Sequence, residues 1–415
     1  MLKSLKLTHT GPADELSITF RPRLNLVTGD NGLGKSFLLD VAWWVLTRTW
    51  ARELVVPHLP PAVPVIEAKF DRTTSGSHEL TSCFDREKDR WPLSRGRPPK
   101  PGLVLYAQVD GGFSVWDPER NYRKKENPER LPAYLFTPNE VWSGNQYCEG
   151  LIRDWASWQR EESESYELLK GVLTVLAPSP EEPLYPGKLR KITLDDPKRY
   201  PTLVMSYGQE VPVIHASAGI RRIIALAYLL VWAWQEHREA CLLKGVPPAK
   251  EVIFLIDEVE AHLHPQWQRR MLSALLEVMS VLTGGHDISV QMVTATHSPL
   301  ILASTEPFFD DEKDGLFLLV QRDAQVVLEH QAWSKQGDVL NWLVSDSFGL
   351  HQGRSVEAER AIEAAEAWMR GEYSALPEQL GNEQAIHKEL LRLLPGHDTF
   401  WPRWVIAREQ QGEAR

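Results

Sequence analysis

Apolar and polar positions alternate through LSITF, from Leu16 to Phe20, and then close into the continuous apolar run LNLVT, from Leu24 to Thr28. This pattern predicts two strands, the second of them buried. FLLDVAWWVL, starting at Phe37, predicts a helix apolar on nearly every side and therefore inside the molecule. Between about 52 and 135, VIEAKF, LVLYAQV and GFSVW alternate with Pro-rich polar loops and predict an antiparallel sheet lobe. Residues 147 to 177 read as helical, and KLRKITL, TLVMSY and VPVIHA read as strands. A helix opens after Ser217, EVIFLID is a strand, and the helix beyond Pro265 sets Trp267, Met271, Leu275, Val278 and Leu282 on one face. ISVQMVTATH is the next strand, and beyond about 335 the chain is mostly helical. Strands alternating with helices predict an α/β fold with a mixed sheet, an antiparallel β lobe, a helical lobe and a mostly helical C-terminal region.

The junction of the buried strand and the apolar helix reads GDNGLGKS, Gly29 to Ser36, the GxxxxGK[ST] spacing that builds a phosphate cradle. Gly29 and Gly34 permit backbone angles closed to other residues and turn N–H groups of the loop inward. Lys35 reaches phosphate as a point charge, the Ser36 hydroxyl ligates Mg²⁺, and the helix dipole adds to the anion site. The segment Gly29, Asp30, Asn31, Gly32, Leu33, Gly34, Lys35, Ser36 and Phe37 is thus the candidate binding site for a nucleoside triphosphate.

Other segments supply complementary chemistry. EVIFLID runs into Asp257 and Glu258 at a strand end, a costly place for charge unless it serves a cation or a reaction. Asp257 is the candidate Mg²⁺ carboxylate, and Glu258 is placed to polarise a water. HASAGIRR puts Ser217 and Gly219 at the opening of an apolar helix, where Ser217 is either an N-cap or part of a second anion site. VTAT delivers His297 and Ser298 at another strand end, where a polar group can sense a γ-phosphate. With no NKxD guanine-reading motif, ATP is the expected nucleotide.

At 415 residues, 43% hydrophobic and 25% charged, the chain has the make-up of a globular protein of more than one lobe. A net charge of −10 leaves no overall basic footprint, so any DNA contact falls to local segments, Arg86 to Arg97 and Arg120 to Lys125. Cys83, Cys148 and Cys241 lie far apart with no CxxC pair, so they suggest neither a zinc site nor a disulfide framework and fit a reducing cytoplasm. The apolar run Ile223 to Trp234 is too short for a bilayer, so no membrane partner is expected.

Taken in order, GDNGLGKS, SAGIRR, DEVEAHLHP and ATHSPL resemble the ABC-type ATPases, and most closely their SMC, RecF and OLD relatives. The resemblance covers roughly residues 1 to 50 and 205 to 300. It implies ATP and Mg²⁺ as cofactors, slow regulatory ATP hydrolysis, Lys35 and Ser36 as phosphate and Mg²⁺ ligands, Asp257 as the Mg²⁺ carboxylate, Glu258 as general base and His297 as the switch histidine. It also implies a homodimer sandwiching two nucleotides, with Ser217 and Gly219 contacting the ATP of the other subunit. A lobe-linking glutamine is implied too, with Gln108 the candidate and Gln146 its rival. Ala218 stands where transporters carry Gly, and His264 where Asp is common.

On this reading residues 1–335 are an ATPase head, with inserted β and helical lobes over 52–205, and residues 336–415 are a helical, candidate partner-binding region. The absence of heptads between Ser36 and Ser217 argues against a long-armed clamp, and the tail lacks the DxD of an OLD nuclease. The acidic run Asp310 to Asp314 reads as a solvated loop. The tail resembles PtuA-like ATPase subunits of bacterial anti-phage systems of the Septu and retron-associated kind, which implies a separately encoded effector, a nuclease. The alternative is a RecF-like DNA-repair or DNA-end-binding ATPase.

Overall fold

The computed structural model describes residues 1–71, 78–92, 100–122, 131–284 and 288–413. Its strands are β1 Leu2–Thr10, β2 Ala13–Thr19, β3 Leu24–Gly29, β4 Val65–Phe70, β5 His78–Cys83, β6 Leu103–Ala107, β7 Phe113–Trp116 and β8 Tyr134–Phe136. They continue with β9 Tyr185–Pro186, β10 Thr202–Val204, β11 Glu210–Pro212, β12 Glu251–Ile256, β13 Ser289–Ala295, β14 Asp314–Arg322 and β15 Gln325–Gln331. The helices are α1 Lys35–Thr47, α2 Pro138–Ser143, α3 Leu151–Glu161, α4 Glu164–Val175, α5 Ala218–Lys244, α6 Pro265–Leu282 and α7 Pro299–Thr305. After them come α8 Val339–Leu343, α9 Val356–Met369, α10 Glu383–Leu393 and α11 Phe400–Glu413.

The chain divides into Met1–Val339 and Leu340–Arg415. In the first unit an eight-stranded sheet has the order β15-β14-β3-β13-β12-β6-β7-β8. Its five inner strands, β14, β3, β13, β12 and β6, run parallel, while β15 and β7–β8 pair antiparallel at the two edges. A second, antiparallel sheet has the order β2-β1-β4-β5. Helix α1 lies between the two sheets: Leu38, Val41, Trp43 and Val45 share one core with Leu5, Leu7 and Ile66 of the smaller sheet and with Ile253, Leu255, Val293 and Ala295 of the larger. The intervening Val252, Phe254 and Met292 are equally buried, so both faces of the parallel strands are covered. All-round apolarity of α1 follows from its having a sheet on each side.

Three expectations need correction. LVLYA does not join an antiparallel lobe but inserts as β6 beside β12 in the parallel sheet, and FSVW follows it as β7. The antiparallel sheet draws instead on β1 and β2, because VIEAKF pairs back to the chain start. KLRKITL forms no strand beyond a bridge of Arg190 to Tyr200. Asp314, expected in a solvated loop, is buried at the start of β14. It accepts from Arg23 Nε at 2.8 Å and from the Leu24 amide at 3.1 Å, and these bonds hold it there. Among the described residues no helix is long and apolar enough to cross a membrane.

The second unit has its own core of Ile362, Ala365, Trp368, Ile386, Leu390 and Trp404 from α9, α10 and α11.

On α3, Asp154 accepts a 2.6 Å bond from the Tyr228 hydroxyl of α5, yet burial pushes its carboxyl up to about 6. Because the folded state then holds this proton more tightly than the unfolded chain does, between about pH 4 and 6 the stability Asp154 contributes decreases as pH rises. Asp154→Asn should flatten that slope and leave the protein more stable at pH 7 by about 1–3 kcal/mol. Urea melts from pH 4 to 7 check it; parallel pH profiles for both proteins would refute the assignment.

Candidate functional site

Strands β3, β12, β13 and β6 all direct their carboxyl ends to one edge of the sheet, and the loops leaving them form the site. After β3 the chain turns sharply at Gly29, whose φ is 139°. A Cβ there would stand 2.3 Å from the Leu319 carbonyl oxygen of neighbouring β14, so only glycine fits. Gly34, at φ 99°, is the N-cap of α1 and offers no side-chain cap. The first amides of α1 are therefore left for another acceptor, as an anion-binding helix start requires. Lys35 folds back over the loop, donating to the carbonyls of Gly29 at 2.7 Å and Asp30 at 3.0 Å. Burial depresses its ammonium below the usual lysine value, against the opposing pull of Glu258, Glu260, Asp257 and Asp30. Asp30, Asn31 and Gly32 are exposed at the loop tip, Leu33 is buried, and the Phe37 ring packs against Gly11.

Ser36 and Asp257 meet, as their spacing implied: the Ser36 hydroxyl donates to Asp257 Oδ1 at 2.8 Å. The Asp257 carboxylate is completely buried. Its other oxygen, Oδ2, accepts from Arg52 Nη2 at 2.8 Å, and Arg52 Nε donates to Asp40 at 3.0 Å. Tyr106 of β6 donates to Asp40 at 3.0 Å and also meets Arg52. Arg52, Asp40 and Tyr106 carry no motif, so sequence reasoning missed them.

Glu258 has φ 49°, a left-handed conformation that a glutamate adopts only when its surroundings impose it. His297, just past β13, lies with Nδ1 3.7 Å from Glu258 Oε1 and 3.2 Å from Glu260 Oε1. Glu260, buried and also unforeseen, accepts the His297 amide at 2.7 Å. It is the anchor of the histidine, and its only sequence signal is its place two residues after Glu258. Ser298 caps α7 and donates to Gln268 at 2.8 Å.

Gln108 sits one residue beyond β6, next to Asp257, whose amide donates to Ala107 at 2.9 Å. Its side chain donates to Ser114 at 3.0 Å. Gln146 lies instead beside Tyr147, Asp154 and Trp158 in a separate depression. Ser217 is the N-cap of α5: among the described residues its hydroxyl accepts only from the Ile220 amide, at 3.4 Å, and it makes no hydrogen bond to the Gly29–Ser36 loop. Gly219 is buried against the loop following Glu258, where a Cβ would come within 2.8 Å of the His262 carbonyl oxygen. Arg222, quoted in the motif without a role, donates at 2.6 Å to Val109 and at 3.2 Å to the Glu258 carbonyl. His264 caps α6.

The basic segments fare differently. Arg123, Lys124 and Lys125, and the stretch from 93 to 99, lie outside the described residues. Arg120 is not offered to solvent for DNA: it pairs with Asp117 and Glu236, both at 2.8 Å, and stacks 4.3 Å over Tyr134.

A family model described as an AAA domain, putative AbiEii toxin, type IV TA system, matches residues 24–303, from the strand before the glycine loop to α7. The chain belongs to this family. It is similar to the Septu protein PtuA of Bacillus thuringiensis, 28% identical over 369 residues that cover 86% of each chain. It is also similar to the Retron Vc95 probable ATPase of Vibrio cholerae serotype O1 biovar El Tor, 29% identical over 103 residues, or 24% of this chain and 18% of that one. Among solved structures, the SMC head domain from Thermotoga maritima matches at 14% identity and a TM-score of 0.40, over 80% of this chain and 99% of that one. The recombination mediator protein RecF matches at 12% identity and a TM-score of 0.40, over 80% and 98%. Its family model and these relatives are those of defence-associated ATPases, in keeping with the resemblance carried by its motifs.

The donor set fits the expected ligands: a serine hydroxyl and a carboxylate for a hard divalent cation, and a glycine loop with free helix amides for phosphate. Arg52 is what keeps the Asp257 charge tolerable in the interior. Arg52→Met should cost about 1.5–3 kcal/mol, the scale of a hydrogen bond to a charged group. An unchanged urea midpoint would show that Asp257 needs no such support.

Proposed function

We propose that this protein binds ATP with Mg²⁺ and hydrolyses it slowly, as the regulatory subunit of an anti-phage system. The observation that carries this reading is the Ser36 hydroxyl bonded at 2.8 Å to Asp257, with Lys35 on the same loop and the Glu258–His297 pair close by. In the proposed mechanism the Lys35 ammonium and the α1 amides take the phosphates, and Ser36 and Asp257 would hold a divalent cation, which when bound would supply charge neutralisation at the phosphate oxygens. Glu258 accepts the proton of the attacking water, and His297, steadied by Glu260, donates to the terminal phosphate. Gln108 links the site to the α2–α5 side.

The exposed Ser217 and the start of α5 point to a second half-site, so that two chains close head to tail on two nucleotides, each lending Ser217 and Gly219 to its neighbour's ATP. The ATPase head then spans residues 1–335 and the helical 336–415 region engages the effector, a separately encoded nuclease. Leu391, Val405 and Ile406 support that assignment by standing exposed on its helices.

Glu258→Gln should lower turnover by about 10²–10⁴-fold while an ATP-dependent dimer accumulates, read by phosphate release and light scattering. Hydrolysis at the parent rate would remove Glu258 from the role of base. For the partner, tagged protein expressed from its native locus should retain a nuclease through gel filtration, and a chain that elutes with none would overturn the effector reading.

A further inference from the structure

The β1–β2 hairpin carries a cluster that plays no part in the nucleotide site. Register pairs Thr8 with Glu15 and Thr10 with Ala13, so His9 faces Asp14 across the two strands. His9 has φ 48°, a conformation unusual for a histidine and outside the regular strand range. A third residue arrives from the segment after α1: Pro57 bridges Thr10, and the His58 amide donates to the His9 carbonyl at 3.0 Å. One ligand atom each from His9, Asp14 and His58 lies within 4.8 Å of the others. His9 Nδ1 is 3.9 Å and His58 Nδ1 3.6 Å from Asp14 Oδ1.

The surroundings are those of a ligand set. His58 Nε2 lies 2.7 Å from the Gly11 carbonyl oxygen, which can only accept, so this nitrogen carries the proton. Nδ1 of the neutral ring is then the free ligating nitrogen, 3.6 Å from Asp14 Oδ1, a spacing open to a bound cation. The other Asp14 oxygen accepts from Gln325 Nε2 at 3.2 Å. Metal-bound imidazoles commonly donate their second N–H to a backbone carbonyl, and metal-bound carboxylates are commonly hydrogen-bonded in turn. Around zinc, with bonds of about 2.1 Å, ligand atoms lie roughly 3.4 Å apart, a spacing that Asp14 Oδ1 already approaches with each imidazole nitrogen, while all three ligand atoms lie within 4.8 Å. The three side chains are half-buried or exposed, which leaves an entry path.

We propose that His9, Asp14 and His58 form a transition-metal site of the two-histidine, one-carboxylate kind, taking Zn²⁺ with its remaining position open to water. The ion ties the β1–β2 turn to the segment after α1. That turn also braces the phosphate loop, since Pro12 lies where a side chain on Gly34 would stand, 2.6 Å from its Cβ position. The inference does not rest on the nucleotide reading.

The test uses the full chain, freed of metal by chelation and titrated with Zn²⁺ by calorimetry without nucleotide. Co²⁺ serves as a second probe, through its visible absorption bands. One equivalent should bind per chain. His58→Ala and Asp14→Asn should abolish it, and Gln325→Ala should weaken it about 10-fold. Asp257→Asn and the double variant His262→Ala/His264→Ala should bind as the parent does, which separates this site from the proposed Mg²⁺ position and from the histidines that follow Glu258. Asp14 is exposed, so Asp14→Asn keeps the test valid if His58→Ala fails to fold. No binding to the parent chain overturns the proposal, and so does binding that survives both ligand substitutions.

Discussion

A carboxylate with no exposed surface needs a partner for each oxygen, and Asp257 has both, Ser36 on one oxygen and Arg52 on the other. This arrangement links three separate stretches of chain. Ser36 is fixed by the glycine loop and the start of α1, Asp257 by the end of β12, and Arg52 by the segment that leaves α1. Were any of the three displaced, an unpaired charge would remain in the interior, a change that costs several kcal/mol. Asp40 and Tyr106 extend the constraint, because Arg52 is aimed by them rather than by solvent. Burial alone would raise the Asp40 carboxyl, and it does, with Arg52 pulling the other way. The sheet order serves this network: β12 has β13 on one side and β6 on the other, so Tyr106 of β6 arrives beside Asp257 by strand pairing.

Those parts of the site that chemistry confines to a short segment were legible in the sequence. Gly29, Lys35 and Ser36 are read together because one loop must supply them at fixed spacing, and Asp257 because charge at the end of EVIFLI needs a reason. Residues whose partners lie far along the chain were not legible. Arg52 meets Asp257 across 205 positions, and nothing in WARELVV foretells it. LVLYA is apolar at every position, as a buried parallel strand must be, but an all-apolar strand does not say which sheet it enters. Arg120 looked like a free cation in a basic run, whereas Asp117, Glu236 and Tyr134 claim it. Asp314 misled in the same way, because its counter-ion, Arg23, lies 291 positions away. Ser217 kept both its readings, since a residue can cap its helix and still show an exposed hydroxyl to another molecule.

The site is also bound to helix α5. Arg222 donates to carbonyls of Gln108, Val109, Asp257 and Glu258, so the ends of β6 and β12 and the first turns of α5 share one guanidinium. Gly219 presses on the His262 carbonyl, and His262 itself has φ 63°. Between them lies Glu258, held at φ 49°. These residues leave α5 little room to shift without moving the backbone that aims Glu258 and His297, because the contacts are backbone to backbone or through a planar fork of fixed geometry. If a second subunit's nucleotide engages Ser217 at the tip of this helix, the same contacts carry that event to the carboxylate that must meet the water. Under the proposed function, that coupling would let a centre held at Glu258 and braced from α5 wait for a partner before it turns over.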